Sequence, residues 1–187
     1  MNRVHRWLCR SSGWKKMLEE TILPSVVGGL DLGDNLLEVG PGPGLTTDWL
    51  RRRLNQLTAV EIDRQLAHSL ANRMRGTNVR VIRGDGAVLP FRDNSFSGAV
   101  AFTMLHHVPS VELQNKLFEE VRRVIRPGSV FAGVDSTDSL RMRLLHIYDT
   151  LVPIDPSALA ARLQSAGFTR ISVNTDGRGF RFSAICP

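Results

Sequence analysis

An apolar run enters a turn that carries glycine at every second position: Leu36-Leu37-Glu38-Val39-Gly40-Pro41-Gly42-Pro43-Gly44-Leu45-Thr46-Thr47. Few folds accommodate such a segment. A buried strand must run straight into a sharp backbone turn and leave it as a helix. Glycine is needed where a Cβ would stand between the backbone and a ligand. The spacing is GxGxG, whereas a dinucleotide fingerprint requires GxGxxG, and Leu45 occupies the position where that third glycine would fall. Pro41 and Pro43 also remove the N–H groups on which a pyrophosphate cradle depends. Glu38, just ahead of the turn, would repel a pyrophosphate and suits a ligand carrying an ammonium and a sulfonium. The plain alternative is a tight turn that holds no ligand.

The surrounding sequence has the rhythm of a parallel sheet. Residues 35–39, 57–62, 79–82, 98–102 and 130–134 read as buried strands, separated by helical stretches. The clearest helix follows Ser110, an N-cap residue. Its apolar positions Leu113, Leu117, Val121 and Val124 recur at helical spacing, and Arg126-Pro127-Gly128 stops it. Residues 156–166 form another helix, broken by Gly167. Residues 171–173 and 180–185 then read as two strands joined by the hairpin-type turn Asp176-Gly177-Arg178-Gly179. The predicted class is α/β, doubly wound and mostly parallel, closed by an antiparallel C-terminal hairpin.

A chain of 187 residues with 42% apolar and 22% charged residues is globular, and it reads as a single domain over 1–187. Within it, residues 1–34 form a helical leader and residues 35–187 a cofactor-binding core. Cys9 and Cys186 lie near opposite ends without CxxC spacing, so they read as reduced structural thiols, and no metal site is assigned. No segment approaches the ~20 apolar residues of a membrane span, and no signal peptide opens the chain, which places it in the cytoplasm. The net charge of +6 comes mostly from scattered arginines and reads as a solvated face, not a dedicated polyanion site.

Two further acids follow strands. Glu61, within Ala59-Val60-Glu61-Ile62-Asp63, is placed to accept hydrogen bonds from ribose hydroxyls, while Asp63 caps the next helix. Asp85, in Gly84-Asp85-Gly86-Ala87, is placed to accept from an adenine amino group, with backbone N–H groups facing the ring; alternatively it holds a turn. The order of these motifs resembles the class I S-adenosylmethionine-dependent methyltransferases, in the small-molecule branch that includes quinone-biosynthesis enzymes. Leu89-Pro90-Phe91, Ser95-Phe96, Leu105-His106-His107-Val108 and Arg123-Val124-Ile125-Arg126-Pro127-Gly128 continue the resemblance to about residue 135. It implies a seven-stranded Rossmann-like sheet and S-adenosyl-L-methionine as cofactor. The cofactor would be bound by Glu38, Gly40, Pro41, Gly42, Gly44, Glu61, Ile62, Asp85, Gly86 and Phe102. The family usually has an acid where this chain has Ser97, a change expected to loosen local hydrogen bonding.

Acceptors are expected beyond the carboxyl ends of the fourth and fifth strands. His106, His107, Asp135 and His146 are the candidate catalytic or substrate-contacting residues there, with a general base toward a hydroxyl as the role open to a histidine. In the leader, Val4, Trp7, Leu8, Trp14, Met17 and Leu18 form an apolar stripe flanked by basic residues. It reads as a lid over the acceptor, a helix resting on an anionic membrane surface, or a helix packed on the core. The leading expectation is methylation of a small or lipid-like acceptor. Nucleic acid is set aside because residues 102–105 lack the Asn/Asp-Pro-Pro-Tyr/Phe pattern of amino-group base methylation, although an RNA methyltransferase stays as the alternative. A cofactor-binding protein without catalysis is the third reading.

Overall fold

A computed structural model describes residues 11–177 and 179–187. Seven strands form one sheet in the order β3-β2-β1-β4-β5-β7-β6. They are β1 (Asn35–Val39), β2 (Gln56–Glu61), β3 (Val79–Arg83), β4 (Phe96–Phe102), β5 (Ile125–Ser136), β6 (Thr169–Thr175) and β7 (Gly179–Ile185). The first five pair in parallel, and β7 runs antiparallel to both β5 and β6. The expected parallel sheet with an antiparallel closing hairpin is therefore what the chain forms.

Side-chain alternation sorts the apolar residues onto two faces. Leu37, Val39, Ala99, Ala101 and Phe131 join one buried cluster. Their strand neighbours Leu36, Val100, Phe102, Val130 and Ala132 join the other. The first face is covered by α5 (Val111–Val124) and α7 (Pro156–Ser165), which contribute Leu117, Phe118, Leu159 and Leu163. Ser110 caps α5 as expected, its Oγ accepting the N–H of Leu113 at 3.2 Å. The opposite face is covered by α3 (Leu45–Leu50) and the leader, and α4 (Arg64–Arg73) packs beside β2 and β3.

The described part of the leader is three continuous pieces: α1 (Ser12–Met17), a π-helical turn (Leu18–Ile22) and α2 (Leu23–Val27). Pro24 has no N–H to give the carbonyl of Glu20, and the wider register just before it accommodates the missing bond. Of the expected stripe, Leu18 is buried and Met17 exposed. Val4, Trp7 and Leu8, like Cys9, lie outside the described residues. Cys186 is a buried free thiol. Among the described residues, no helix is long and apolar enough to cross a membrane.

Three local expectations change. Strand β5 starts at Ile125, directly after α5, because Phe96 pairs with Ile125 and Gly128 donates its N–H to the carbonyl of Cys186. The segment 126–128, expected to stop the helix, does so as the first part of the interior strand β5. A short helix, α6 (Leu140–Leu145), occupies the connection after β5, capped by Ser139. Ser97, expected to loosen its surroundings, does the opposite. Its Oγ accepts the N–H of Asn35 at 2.9 Å and lies within donating distance of the carbonyls of Leu32 and Asn35, so it fixes the start of β1.

Candidate active site

The glycine turn leaves β1 where the strand order reverses, between β2 on one side and β4 on the other. In open α/β sheets this reversal opens a crevice beyond the strand ends. Gly40, Gly42 and Gly44 all take positive φ, at 67°, 56° and 82°, a region that only glycine enters at no steric cost. A Cβ on Gly40 would lie 2.8 Å from the side chain of Met104, whereas one on Gly42 meets nothing within 4 Å. The turn thus packs tightly on one side and borders open space on the other, which is the form of a cradle for a bulky cofactor.

Glu61 ties this turn to the end of β2. Its Oε2 accepts the N–H of Gly42 and its Oε1 that of Asp63, both at 2.9 Å. Burial pushes its carboxyl above the ordinary value, and these N–H groups pull the other way. Asp63 caps α4 by accepting from Gln65 and Leu66, the role expected of it. Glu38 lies deeper. The hydroxyls of Thr46 and Thr47 donate to its two oxygens, clamping the first turn of α3 beneath the strand end. Burial raises its pKa to about 7 despite those two hydrogen bonds.

A cavity of about 1300 Å³ extends from the glycine turn to the ends of β4 and β5. Gly40, Pro41, Gly42, Glu61, Ile62 and Phe102 line it; Glu38, Gly44, Asp85 and Gly86 do not. The reasons are local. Glu38 is sealed under the turn, and a Cβ on Gly44 would strike Leu70 and Arg73 of α4. Gly86 packs against Val39 and Leu117. Asp85 is exposed, and its Oδ1 accepts the N–H of Ala87 at 2.9 Å, a turn contact that involves one of its two oxygens.

All four acceptor-end candidates, His106, His107, Asp135 and His146, line the far part of the same cavity. His106 and His107 sit in the 3-10 turn Leu105–His107 that leaves β4, Asp135 near the end of β5, and His146 as the C-cap of α6. Asp135, 2% exposed, receives the backbone N–H of His106 at 3.1 Å, and its Oδ1 lies 2.5 Å from His106 Nδ1. The other imidazole nitrogen, Nε2, is buried and makes no hydrogen bond among the described residues. The three imidazoles cluster with tilted and edge-on contacts, their ring centroids 4.2, 4.9 and 5.0 Å apart. Burial pushes His146 below the usual imidazole value, and the neighbouring His106 acts in the same direction.

Other contributors escaped the sequence reading. Gln114, fully buried, donates from its amide to the carbonyls of Leu105 and Val152, and so steadies the histidine turn. Nothing in its helical spacing marks it. Thr103 takes φ 50°, a conformation β-branched residues rarely adopt, and donates its N–H to Val134 at 2.7 Å as the chain bends into the cavity wall. Asn174 and Arg181 from the hairpin were likewise not anticipated as cavity walls, whereas Trp14, Met17 and Leu18, which also line it, belong to the leader stripe for which a lid was one reading.

This fold and cradle define a Rossmann-like protein built to hold a cofactor at the reversal of its sheet. The chain belongs to the methyltransferase domain family, whose model matches residues 37–133, just over half of the sequence. Its methyltransferase domain has the class I fold of S-adenosylmethionine-dependent methyltransferases. Among curated relatives, the ribosomal RNA small subunit methyltransferase A of Acidithiobacillus ferrooxidans is 41% identical over 119 residues, covering 54% of this chain and 45% of that one. The protein of the same name from Cupriavidus taiwanensis is 36% identical over 81 residues, 42% of this chain and 29% of that one. The chain thus spans less than half the length of these relatives. In structure, the PH0226 protein of Pyrococcus horikoshii superposes with TM-score 0.80 at 17% identity, over 95% of this chain and 93% of that one. A SAM-dependent methyltransferase from Aquifex aeolicus superposes with TM-score 0.76 at 20% identity over the whole of both chains.

The relatives overturn one expectation, that nucleic acid can be set aside as a partner in favour of a small or lipid-like acceptor. Proteins named for ribosomal RNA are 36–41% identical to this chain over 41–54% of its length. The missing Asn/Asp-Pro-Pro pattern bears on a single chemistry at the end of β4, so it never excluded nucleic acid as a class.

Proposed function

We propose that this enzyme methylates a nitrogen or oxygen of an acceptor whose reacting atom lies against His106, His107 and His146. One observation carries this reading. His106, backed by Asp135, lines the cavity that also contains the glycine turn and keeps its Nε2 buried there without a hydrogen bond among the described residues. When bound, the cofactor supplies an electrophilic methyl group on sulfur. Gly40, Gly42 and Glu61 would hold it, with Phe102 at the floor of the crevice. The imidazole end orients and activates the acceptor atom, and Asp135 fixes the His106 ring. Trp14, Met17 and Leu18 act as a lid that keeps water from the reacting centre.

His106→Asn tests the reading, because the amide can keep a contact with Asp135 while removing Nε2. Methyl transfer should fall by about 100-fold or more, the range of general acid–base assistance, with S-adenosylhomocysteine affinity unchanged. The assay offers small-subunit ribosomal RNA, the class for which the relatives are named, and phenolic quinone precursors, the class implied by the motif resemblance. Undiminished transfer by the variant to the acceptor that the unaltered enzyme methylates would refute the assignment.

A further inference from the structure

We infer that His106, His107 and His146 form a binding site for a divalent transition-metal ion, with one coordination position open to the acceptor. The inference deepens the proposed function and rests on it for the acceptor's location. One ring nitrogen from each histidine lies within 4.8 Å of the other two. In a tetrahedral zinc site with Zn–N near 2.0–2.1 Å, such nitrogens stand roughly 3.4 Å apart, so an ion would draw the rings inward by about an ångström.

The surroundings of each ring match those of a metal-bound histidine. Such a histidine donates its second nitrogen to a carboxylate or a backbone carbonyl, which fixes the tautomer and aims the ligating atom. Here His106 Nδ1 faces Asp135 Oδ1 at 2.5 Å, and His146 Nδ1 faces the carbonyl of Met142 at 2.7 Å. His107 Nδ1 faces the carbonyl of Thr150 at 3.3 Å. Carbonyl and carboxylate oxygens only accept, so in the neutral imidazoles these contacts put the proton on Nδ1 and the lone pair on Nε2. For His106 that lone pair is buried without a partner, a cost that a metal ion would remove.

The donor set narrows the ligand. Three neutral imidazoles suit zinc or its neighbours in the transition series, not the oxygen-seeking magnesium or calcium. Three protein ligands with a remaining position open to a cavity are the pattern of a catalytic zinc site, not a structural one. All three histidines line the cavity shared with the glycine turn, so the open position faces the place assigned to the acceptor. An acceptor O–H or N–H coordinated there would be acidified by the cation and release its proton to water.

The test begins with the full chain stripped by a chelator and titrated with Co²⁺, then with Zn²⁺ in competition. One equivalent of Co²⁺ should bind with the visible absorption of a four-coordinate site, and Zn²⁺ should bleach it. His107→Ala and His146→Ala should each weaken binding at least 10-fold, and Asp135→Asn by about 10- to 100-fold, whereas His68→Ala on α4 should leave it unchanged. Retained S-adenosylhomocysteine affinity and an unchanged melting temperature identify the variants that are folded; His107, the least buried of the three, is the substitution best tolerated by the fold. Folded protein that takes up neither ion, or ion binding that survives both histidine substitutions, would overturn the site. Full transfer by metal-free enzyme would overturn its activating role, yet leave the acceptor assignment intact if His106→Asn still abolishes transfer. An ion bound as expected, in an enzyme whose transfer ignores His106→Asn, would sink the acceptor reading alone.

Discussion

With the hydroxyls of Thr46 and Thr47 on its oxygens and burial lifting its pKa to about 7, Glu38 holds a proton near neutrality that the unfolded chain has already released. The group binds protons more tightly folded than unfolded, so its contribution to stability is complete below the unfolded value of 4.5 and is lost as pH rises through about 7. A rise of that size corresponds to about 3 kcal/mol. Urea unfolding of the ligand-free protein between pH 5 and pH 8 should show a decline of that order. Glu38→Gln, neutral throughout, should flatten it and be the more stable protein at pH 8. An equal slope in the variant would mean that other groups carry it. The acid itself was legible in the sequence beside its glycine turn. Its depth was not, because the threonines reach it only once the turn has folded them back beneath the strand. The same limit applied to Asp85, whose Oδ1 accepts the N–H of Ala87 two residues on, a contact the spacing alone does not reveal.

At the scale of elements, the central strands β1, β2 and β4 read well because their apolar runs are short, buried on both faces and bounded by turns; β1 matches its expected bounds residue for residue. What the sequence hid follows from geometry without a periodic signal. Helix α6 shows large apolar residues to solvent, Leu140 at 80% and Leu144 at 67% exposure, so its pattern does not report a core-facing stripe. The π-helical turn shifts the leader's register midway, and a stripe projected at regular helical spacing cannot follow the shift. That shift separates two duties. Leu23, fully buried, packs into the core with Leu36 and Val100, while Met17, 46% exposed, lines the cavity. Leu23→Ala should therefore cost about 2–5 kcal/mol of stability. Met17→Ala should change stability by less than about 1 kcal/mol and weaken ligand binding instead. Chemical denaturation paired with S-adenosylhomocysteine titration separates the two. Equal stability losses would make the whole leader a packing element and remove its role as a lid.

Across the whole molecule, one cavity gathers segments far apart in the chain: the leader, the glycine turn, the ends of β4 and β5, the histidine cluster and the hairpin. The sheet order produces this convergence. The reversal at β1 opens the crevice, and the antiparallel pairing of β7 with β5 sets Phe180 opposite Asp135 and Gly179 opposite Ser136, bringing the hairpin's turn to the same rim. The sequence revealed the hairpin but not its register, which decides that the turn meets the site and not the opposite end of the sheet. A ligand filling such a cavity should steady all of these walls together. Saturation at about 100 times the dissociation constant should add about 2.7 kcal/mol to stability. Hydrogen exchange with S-adenosylhomocysteine should then slow at residues 14–25, 40–46 and 61–66, where the leader, the turn and the Glu61 corner meet. An acceptor-site ligand added afterwards should extend the slowing to residues 103–107, 146–150 and 174–181. Protection by the cofactor product that stays within 40–66 and leaves the leader unchanged would show that the leader closes over the acceptor alone. Protection of neither the leader nor the hairpin by any ligand would break the single-cavity picture, because walls of one filled space cannot stay equally free to open.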